Sequence, residues 1–196
     1  MEKIFEGLKA FRKDVYPSQR SLFEKLAEGQ SPEVLFLSCS DSRVYPNLLT
    51  NTAPGELFVL RNAGNIVPPY GAHPGGMTAS VEFGVGALKV KHIIVCGHRD
   101  CGAMKAALKP EGLEKFPVTR EWLTHTEAAV KVVQRGECDE YTQLERLIRE
   151  NVILQMQHLA THPYVAAALR HGELDMHGWV YDFATGHVEA YDEETG

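Results

Sequence analysis

The chain has 196 residues, a formal net charge of −6, 44% hydrophobic and 23% charged residues. That length supports one domain with a full core and excludes a disordered chain, a collagen-like fibre and a disulfide-dense miniprotein. The acidic balance argues against nucleic acid or an anionic membrane as partner, and no apolar run approaches the ~20 residues of a membrane span.

The start, MEKIFEGLKAFRKD, mixes charged and apolar groups and lacks the continuous apolar stretch of a secretory signal, so a cytoplasmic location is expected. In that compartment the 4 cysteines are expected to be thiols or metal ligands rather than disulfides. Residues 2–28 read as helix, with Ile4, Leu8 and Phe11 on one face and Leu22, Phe23 and Leu26 on a second stripe, broken at Pro17 and Ser18. These stripes require a surface, either the domain's own sheet or a partner subunit.

After Pro32 the pattern changes. VLFLSC (34–39), LFVL (57–60) and HIIVCG (92–97) are short apolar runs bounded by turn residues, as expected of strands buried on both faces of a parallel sheet. Residues 77–90 have helical spacing, which implies right-handed βαβ units. The Gly/Pro-rich segment 68–76 matches no phosphate-binding loop and reads as a turn. Residues 120–135 and 139–161 read as helices, and Pro163 opens a further helix ending at Gly172. LDMHGWVYD (174–182) and HVEAYD (187–192) read as late strands joined by a tight turn. The expected fold is α/β: a single domain over 1–196, with a mostly parallel central sheet flanked by helices (31–196) and an N-terminal helical arm (1–30).

Two clusters carry chemistry: Cys39-Ser40-Asp41-Ser42-Arg43 and His98-Arg99-Asp100-Cys101-Gly102. Each follows a predicted parallel strand, and ligands bind at the carboxyl edge of such sheets. If the two strand ends are neighbours in the sheet, they can bring Cys39, His98 and Cys101 to one point. Two thiolates and an imidazole suit zinc, and three protein ligands leave the open fourth position of a catalytic site. Asp41 and Arg43, two apart in extended chain, point the same way and form a carboxylate–guanidinium pair. Asp41 then either orients a metal-bound water or swings onto the metal and closes the site.

Cys96 shares a strand face with His98 but lies about 6.6 Å deeper, so it reads as a core thiol. Cys138 reads as an exposed loop thiol. The remaining histidines, 73, 92, 125, 158, 162, 171, 177 and 187, show no ligand spacing with an acidic or thiol partner. His158 and His162, four apart on one helix, lack a third ligand and read as structural.

At this point the sequence resembles the β-class carbonic anhydrases of the plant-like subgroup. The matching segments are CSDSR (39–43), GELFVLRNAGNIVPPYG (55–71), VEFGVGALKV (81–90), IIVCGHRDCGAMKA (93–106) and HGWVYDFATG (177–186). The resemblance implies one Zn2+ per chain on Cys39, His98 and Cys101, an Asp41–Arg43 dyad, and reversible hydration of CO2 to bicarbonate by zinc-hydroxide. It places Gln30, Phe58, Val67, Phe83 and Gly102 around the substrate, with Phe83 standing where the subgroup has Tyr. Another subgroup binds inhibitory bicarbonate beside a Trp; Phe36 stands there instead, although Arg61 and Tyr181 match, so the open water-ligated form is expected. A homodimer or higher homo-oligomer is implied, in the cytoplasm or a carboxysome, in a family whose chains often continue beyond the point where AYDEETG ends this one. Competing readings are a CS2 or COS hydrolase on the same fold and a weakly active zinc-stabilised assembly module. A thiol redox protein would need a C-x-x-C pair, which the sequence lacks.

Overall fold

Five strands, β1 (Val34–Cys39), β2 (Leu57–Asn62), β3 (His92–His98), β4 (Asp175–Tyr181) and β5 (Val188–Tyr191), form one sheet in the computed structural model. Their order is β2-β1-β3-β4-β5. The first four are parallel and β5 pairs antiparallel with β4. The structure describes residues 1–72, 75–135 and 139–191. His73 and Cys138 lie outside them, as does Asp192 at the end of the last predicted strand.

The apolar runs became strands for the expected reason. β1 and β3 are buried along all but their first residue, whereas the edge strand β2 is half-buried and includes the exposed Arg61. Leu35, Leu37, Ile93 and Val95 face one core, while Phe36, Ile94 and Cys96 face a smaller one with Trp179 packed against it. This alternation is the two-residue period of a strand covered on both sides.

The chain divides into two compact units, Met1–Ser31 and Pro32–Gly196. The first contains α1 (Glu2–Ala10), a π-helical turn at Phe11–Val15, α2 (Tyr16–Ser18) and α3 (Arg20–Leu26). The break falls at Gln19, with φ −117° and ψ 21°, and not at Pro17. Pro17 sits in the first turn of α2, where its missing N–H costs no helical bond. Tyr16 stacks on Phe23 at 5.2 Å, and Phe11 meets Phe23 edge-on at 5.8 Å.

The second unit adds α4 (Pro46–Thr50), α5 (Gly76–Glu82), α6 (Gly102–Leu108), α7 (Pro117–Leu123), α8 (Glu127–Gln134), α9 (Glu140–Ala160) and α10 (Pro163–Arg170). The predicted helix 120–135 is two helices: α7 and α8 are separated by a 3-10 turn at Thr124–Thr126. The helix predicted over 77–90 ends in a π-helical turn, Phe83–Ala87. α4 and α6 were not foreseen, because five- and seven-residue helices offer too few turns for a periodic apolar pattern.

Asp139 caps α9 by accepting the Thr142 N–H at 3.0 Å. Leu147, Ile148, Val152 and Met156 of this helix join the larger core. α9 lies close to the sheet because β3 and β4 carry glycine where it crosses. A Cβ at Gly97 would stand 2.9 Å from Val152 Cγ2, and one at Gly178 would stand 2.9 Å from Val152 Cγ1 and Met156 Sδ. Gly97→Ala is therefore expected to destabilise the fold by about 1–3 kcal/mol, the usual range for overpacking, read as a lower Tm with unchanged secondary structure. An unchanged Tm would mean that α9 has room to move.

Candidate metal centre

β1 and β3 are neighbours in the sheet although β2 intervenes in the chain. The chain's winding reverses direction between them, which opens a crevice at their carboxyl ends. Cys39 is the last residue of β1 and His98 the last of β3. Cys101 follows a short loop and precedes α6. Among the described residues these three form a group that can hold a metal ion: one ligand atom from each lies within 4.8 Å of the others, and all three are buried.

The donor set fits zinc on the evidence of its own bonding. His98 is fully buried. Its Nδ1 meets the Arg99 carbonyl at 2.9 Å, which leaves Nε2 for the cluster, and Nε2 has no hydrogen-bond partner among the described residues. A buried imidazole nitrogen without a partner is costly unless a cation takes it. The Gly64 N–H donates to Cys39 Sγ at 3.4 Å. The hydrogen bond from Cys101, with help from His98 and the Gly64 and Asp41 N–H groups, pulls the Cys39 thiol down to about 4. Cys101 is pushed up by its hydrogen bond to Cys39 and by burial. The pair thus carries one negative charge readily and a second one only beside a cation.

Asp41 and Arg43 form the expected pair, but through a turn. The Val44 N–H donates to the Asp41 carbonyl at 2.9 Å, and the Arg43 N–H donates to Asp41 Oδ1 at 3.0 Å. Arg43 Nε donates to Oδ1 at 2.9 Å and Nη2 to Oδ2 at 2.8 Å. An Asx turn, not extended chain, brings the two side chains together. Arg43 holds the Asp41 carboxyl well below the usual carboxylate range. Asp41 Oδ2 lies 3.9 Å from His98 Nε2.

Other predicted residues divide. Phe58 and Phe83 meet with ring centroids 6.1 Å apart, and Val67 is fully buried. Gly102 opens α6 beside Cys101. Gln30 belongs to the N-terminal unit and is exposed. A cleft of about 980 Å3 is lined by Asp100, Gly102, Lys105 and Tyr141 among others, but by none of Cys39, His98 and Cys101; of the predicted substrate residues, only Gly102 lines it. Cys96 is fully buried in the smaller core, and burial pushes its thiol up to about 12, as expected of a core thiol.

His158 and His162 do not share a helix. α9 ends at Ala160, and the two rings instead meet the Val67 carbonyl at 2.8 Å and the Pro68 carbonyl at 3.0 Å. His92 and His177 approach each other at 3.3 Å across β3 and β4, with Asp175 3.7 Å from His92. Strand register makes this group, and linear spacing did not show it.

Several residues support the site in ways the sequence reading did not assign, Arg61 having been read there only as a match to the bicarbonate-inhibited subgroup. Arg61 donates to the Cys39 carbonyl at 2.9 Å and to the Asp41 carbonyl at 2.7 Å. Buried Asn151 donates to the Gly64 carbonyl at 3.0 Å, and buried Gln155 accepts the Val67 N–H at 2.8 Å. Two amides on the core face of a long helix were the available signal, since buried polar groups need partners.

The family model for carbonic anhydrase matches residues 34–188. The chain belongs to the β-class carbonic anhydrases. It is 51% identical over 193 residues to a carbonic anhydrase of Pseudomonas aeruginosa, covering 98% of this chain and 88% of that protein. The structure of the β-carbonic anhydrase CcaA superposes with a TM-score of 0.96 at 47% identity, covering 98% of this chain and 87% of the other. A tetrameric β-carbonic anhydrase of the ascomycete Sordaria macrospora superposes with a TM-score of 0.82 at 30% identity, over 96% of this chain and 95% of the other. Carbonic anhydrases interconvert CO2 and bicarbonate, and the enzyme class expected from the motifs is thereby established for this chain. Among the described residues no helix is long and apolar enough to cross a membrane.

Proposed function

We propose that this β-carbonic anhydrase hydrates CO2 at one zinc ion held by Cys39 Sγ, His98 Nε2 and Cys101 Sγ. The observation that carries the reading is the partnerless, fully buried His98 Nε2 beside two buried cysteine sulfurs. Bound zinc supplies the Lewis acidity that makes water nucleophilic near neutral pH.

The chain's own residues supply direction. Both Asp41 oxygens accept from Arg43, but Oδ1 takes two of the three bonds and Oδ2 one. Oδ2 therefore keeps a free lone pair on the side nearer His98, where it accepts the reacting water's hydrogen bond and aims its oxygen at carbon. Arg43 keeps Asp41 ionised and both of its oxygens engaged, which favours the open arrangement. Phe58, Phe83 and Val67 provide an apolar seat for CO2. The Gly102 N–H holds an oxygen of CO2 or bicarbonate. With Phe83 in the subgroup's Tyr position, no phenol takes part.

A homo-oligomer, dimeric at least, is proposed from the apolar stripe of α1. Ile4 is 65% exposed and Leu8 57%. The tetrameric Sordaria relative supports the same reading.

Stopped-flow CO2 hydration between about pH 6.5 and 9, with zinc content on the same sample, tests the proposal. Two thiolates place more negative charge around the metal than imidazoles would, so activity is expected to rise with pH through a single group and to be highest on the alkaline side. Full zinc without CO2 turnover at any pH would overturn the reading, and CS2 turnover by that sample would assign the alternative substrate.

A further inference from the structure

Arg43 has more partners than the dyad explains. Beyond its bonds to Asp41, Nη1 donates to Asp100 Oδ2 at 3.2 Å, across 57 residues of sequence. Asp100 lies in the loop between His98 and Cys101, with a left-handed backbone, φ 60°. Its other oxygen is held by Lys105 of α6. On a further side, the Phe183 ring lies 4.5 Å from the Arg43 guanidinium carbon. The same ring is 5.2 Å from the His98 imidazole and 5.0 Å from Tyr181. Phe183 comes from the turn between β4 and β5, so three separate chain segments converge on one guanidinium.

We infer that Asp100 and Phe183 are positioning residues for Arg43. The reasoning is geometric. An exposed arginine has four side-chain torsions to order, and one carboxylate fixes only one edge of the fork. Here Asp41 takes the Nε–Nη2 edge, Asp100 takes Nη1, and the Phe183 face restrains rotation out of plane. A guanidinium held at two edges and one face keeps the Asp41 carboxylate in one orientation. It also ties the loop after β1 to the loop bearing His98 and Cys101. Asp100 is suited to this by its backbone as well as its charge, because Asp and Asn tolerate the left-handed region better than most residues.

The inference rests on the proposed role of the Asp41–Arg43 pair, and the test separates the two. Asp100→Asn retains the shape and the tolerated backbone but removes the charge. Phe183→Leu removes the aromatic face, and Phe183→Tyr retains it. In the zinc-loaded enzyme, Asp100→Asn and Phe183→Leu are each expected to lower kcat about 3–10-fold with KM within twofold, zinc content and Tm nearly unchanged, and Phe183→Tyr close to the parent. A second readout is independent of turnover: hydrogen exchange of the Arg43 Nε–H, identified by its loss in Arg43→Lys, should accelerate several-fold in both weakened variants. Unchanged exchange in Asp100→Asn and Phe183→Leu would overturn the inference, whatever the rates do. Faster exchange with full parental kcat would overturn it as well, since the clamp would then have no effect on the reaction. An inactive but zinc-loaded parent would instead count against the proposed CO2 chemistry, while the exchange measurement would still report on the clamp.

Discussion

Cys101→Ser is expected to abolish both zinc retention and CO2 hydration while the fold persists. Loss of a group that merely orients a metal ligand typically weakens affinity 10–100-fold, so loss of a ligand should exceed about a hundredfold. Serine keeps the size and the hydrogen-bonding capacity but not the soft anionic donor that the site needs. The sheet does not depend on this residue: Cys101 follows β3 and precedes α6, outside the paired strands. Zinc content after dialysis against a chelator, with turnover and Tm on the same sample, checks the expectation. A companion result is expected on loading metal-free enzyme at pH 7. The hydrogen bond between the two cysteines draws the Cys39 thiol down and, with burial, pushes Cys101 up, so the metal-free pair carries one negative charge more readily than two. Together the two cysteines should release fewer than two protons per zinc, and zinc affinity should rise with pH. Release of two cysteine protons, read from buffer-dependent calorimetry corrected with Cys101→Ser, would contradict the charge arrangement described.

Asp41→Asn should give the second-largest loss, with zinc retained. A positioned proton acceptor contributes about 10²–10⁴-fold to a reaction of this kind. An amide offers one acceptor oxygen and presents donors where the carboxylate presented lone pairs, so it orients the reacting water poorly. The loss should appear in kcat/KM across the whole pH range, because the Arg43 pair keeps Asp41 ionised far below the assay range. Stopped-flow rates within threefold of the parent would remove Asp41 from the mechanism. Thermal stability should change little, since the Asp41–Arg43 pair is partly exposed and such pairs contribute little to folding.

The N-terminal unit shows where local reading runs out. Its two apolar stripes were legible at helical spacing, but the position of the break was not. Proline is the usual signal for a helix end, yet at the first turn of a helix it is tolerated, and the chain breaks two residues later at Gln19. The helices α7 and α8 gave a continuous periodic pattern because a single 3-10 turn displaces the register too little to see in composition.

What the amino-acid order decided unaided is the donor chemistry. Continuous apolar runs ending in Cys39 and His98 specified buried parallel strands with their reactive residues at the carboxyl ends, because side-chain burial and strand period are local properties. Only the folded sheet decided which strand ends are neighbours. The order β2-β1-β3 places Cys39 beside His98 although the whole of β2 and α5 separates them in the chain. The same holds for the supports. Asp100 reaches Arg43 across 57 residues, Asn151 reaches Gly64 across 87, and Phe183 lies against both His98 and Arg43. These contacts are set by crossover connections and by how closely α9 lies on the sheet, and neither leaves a periodic trace in the residues that make them.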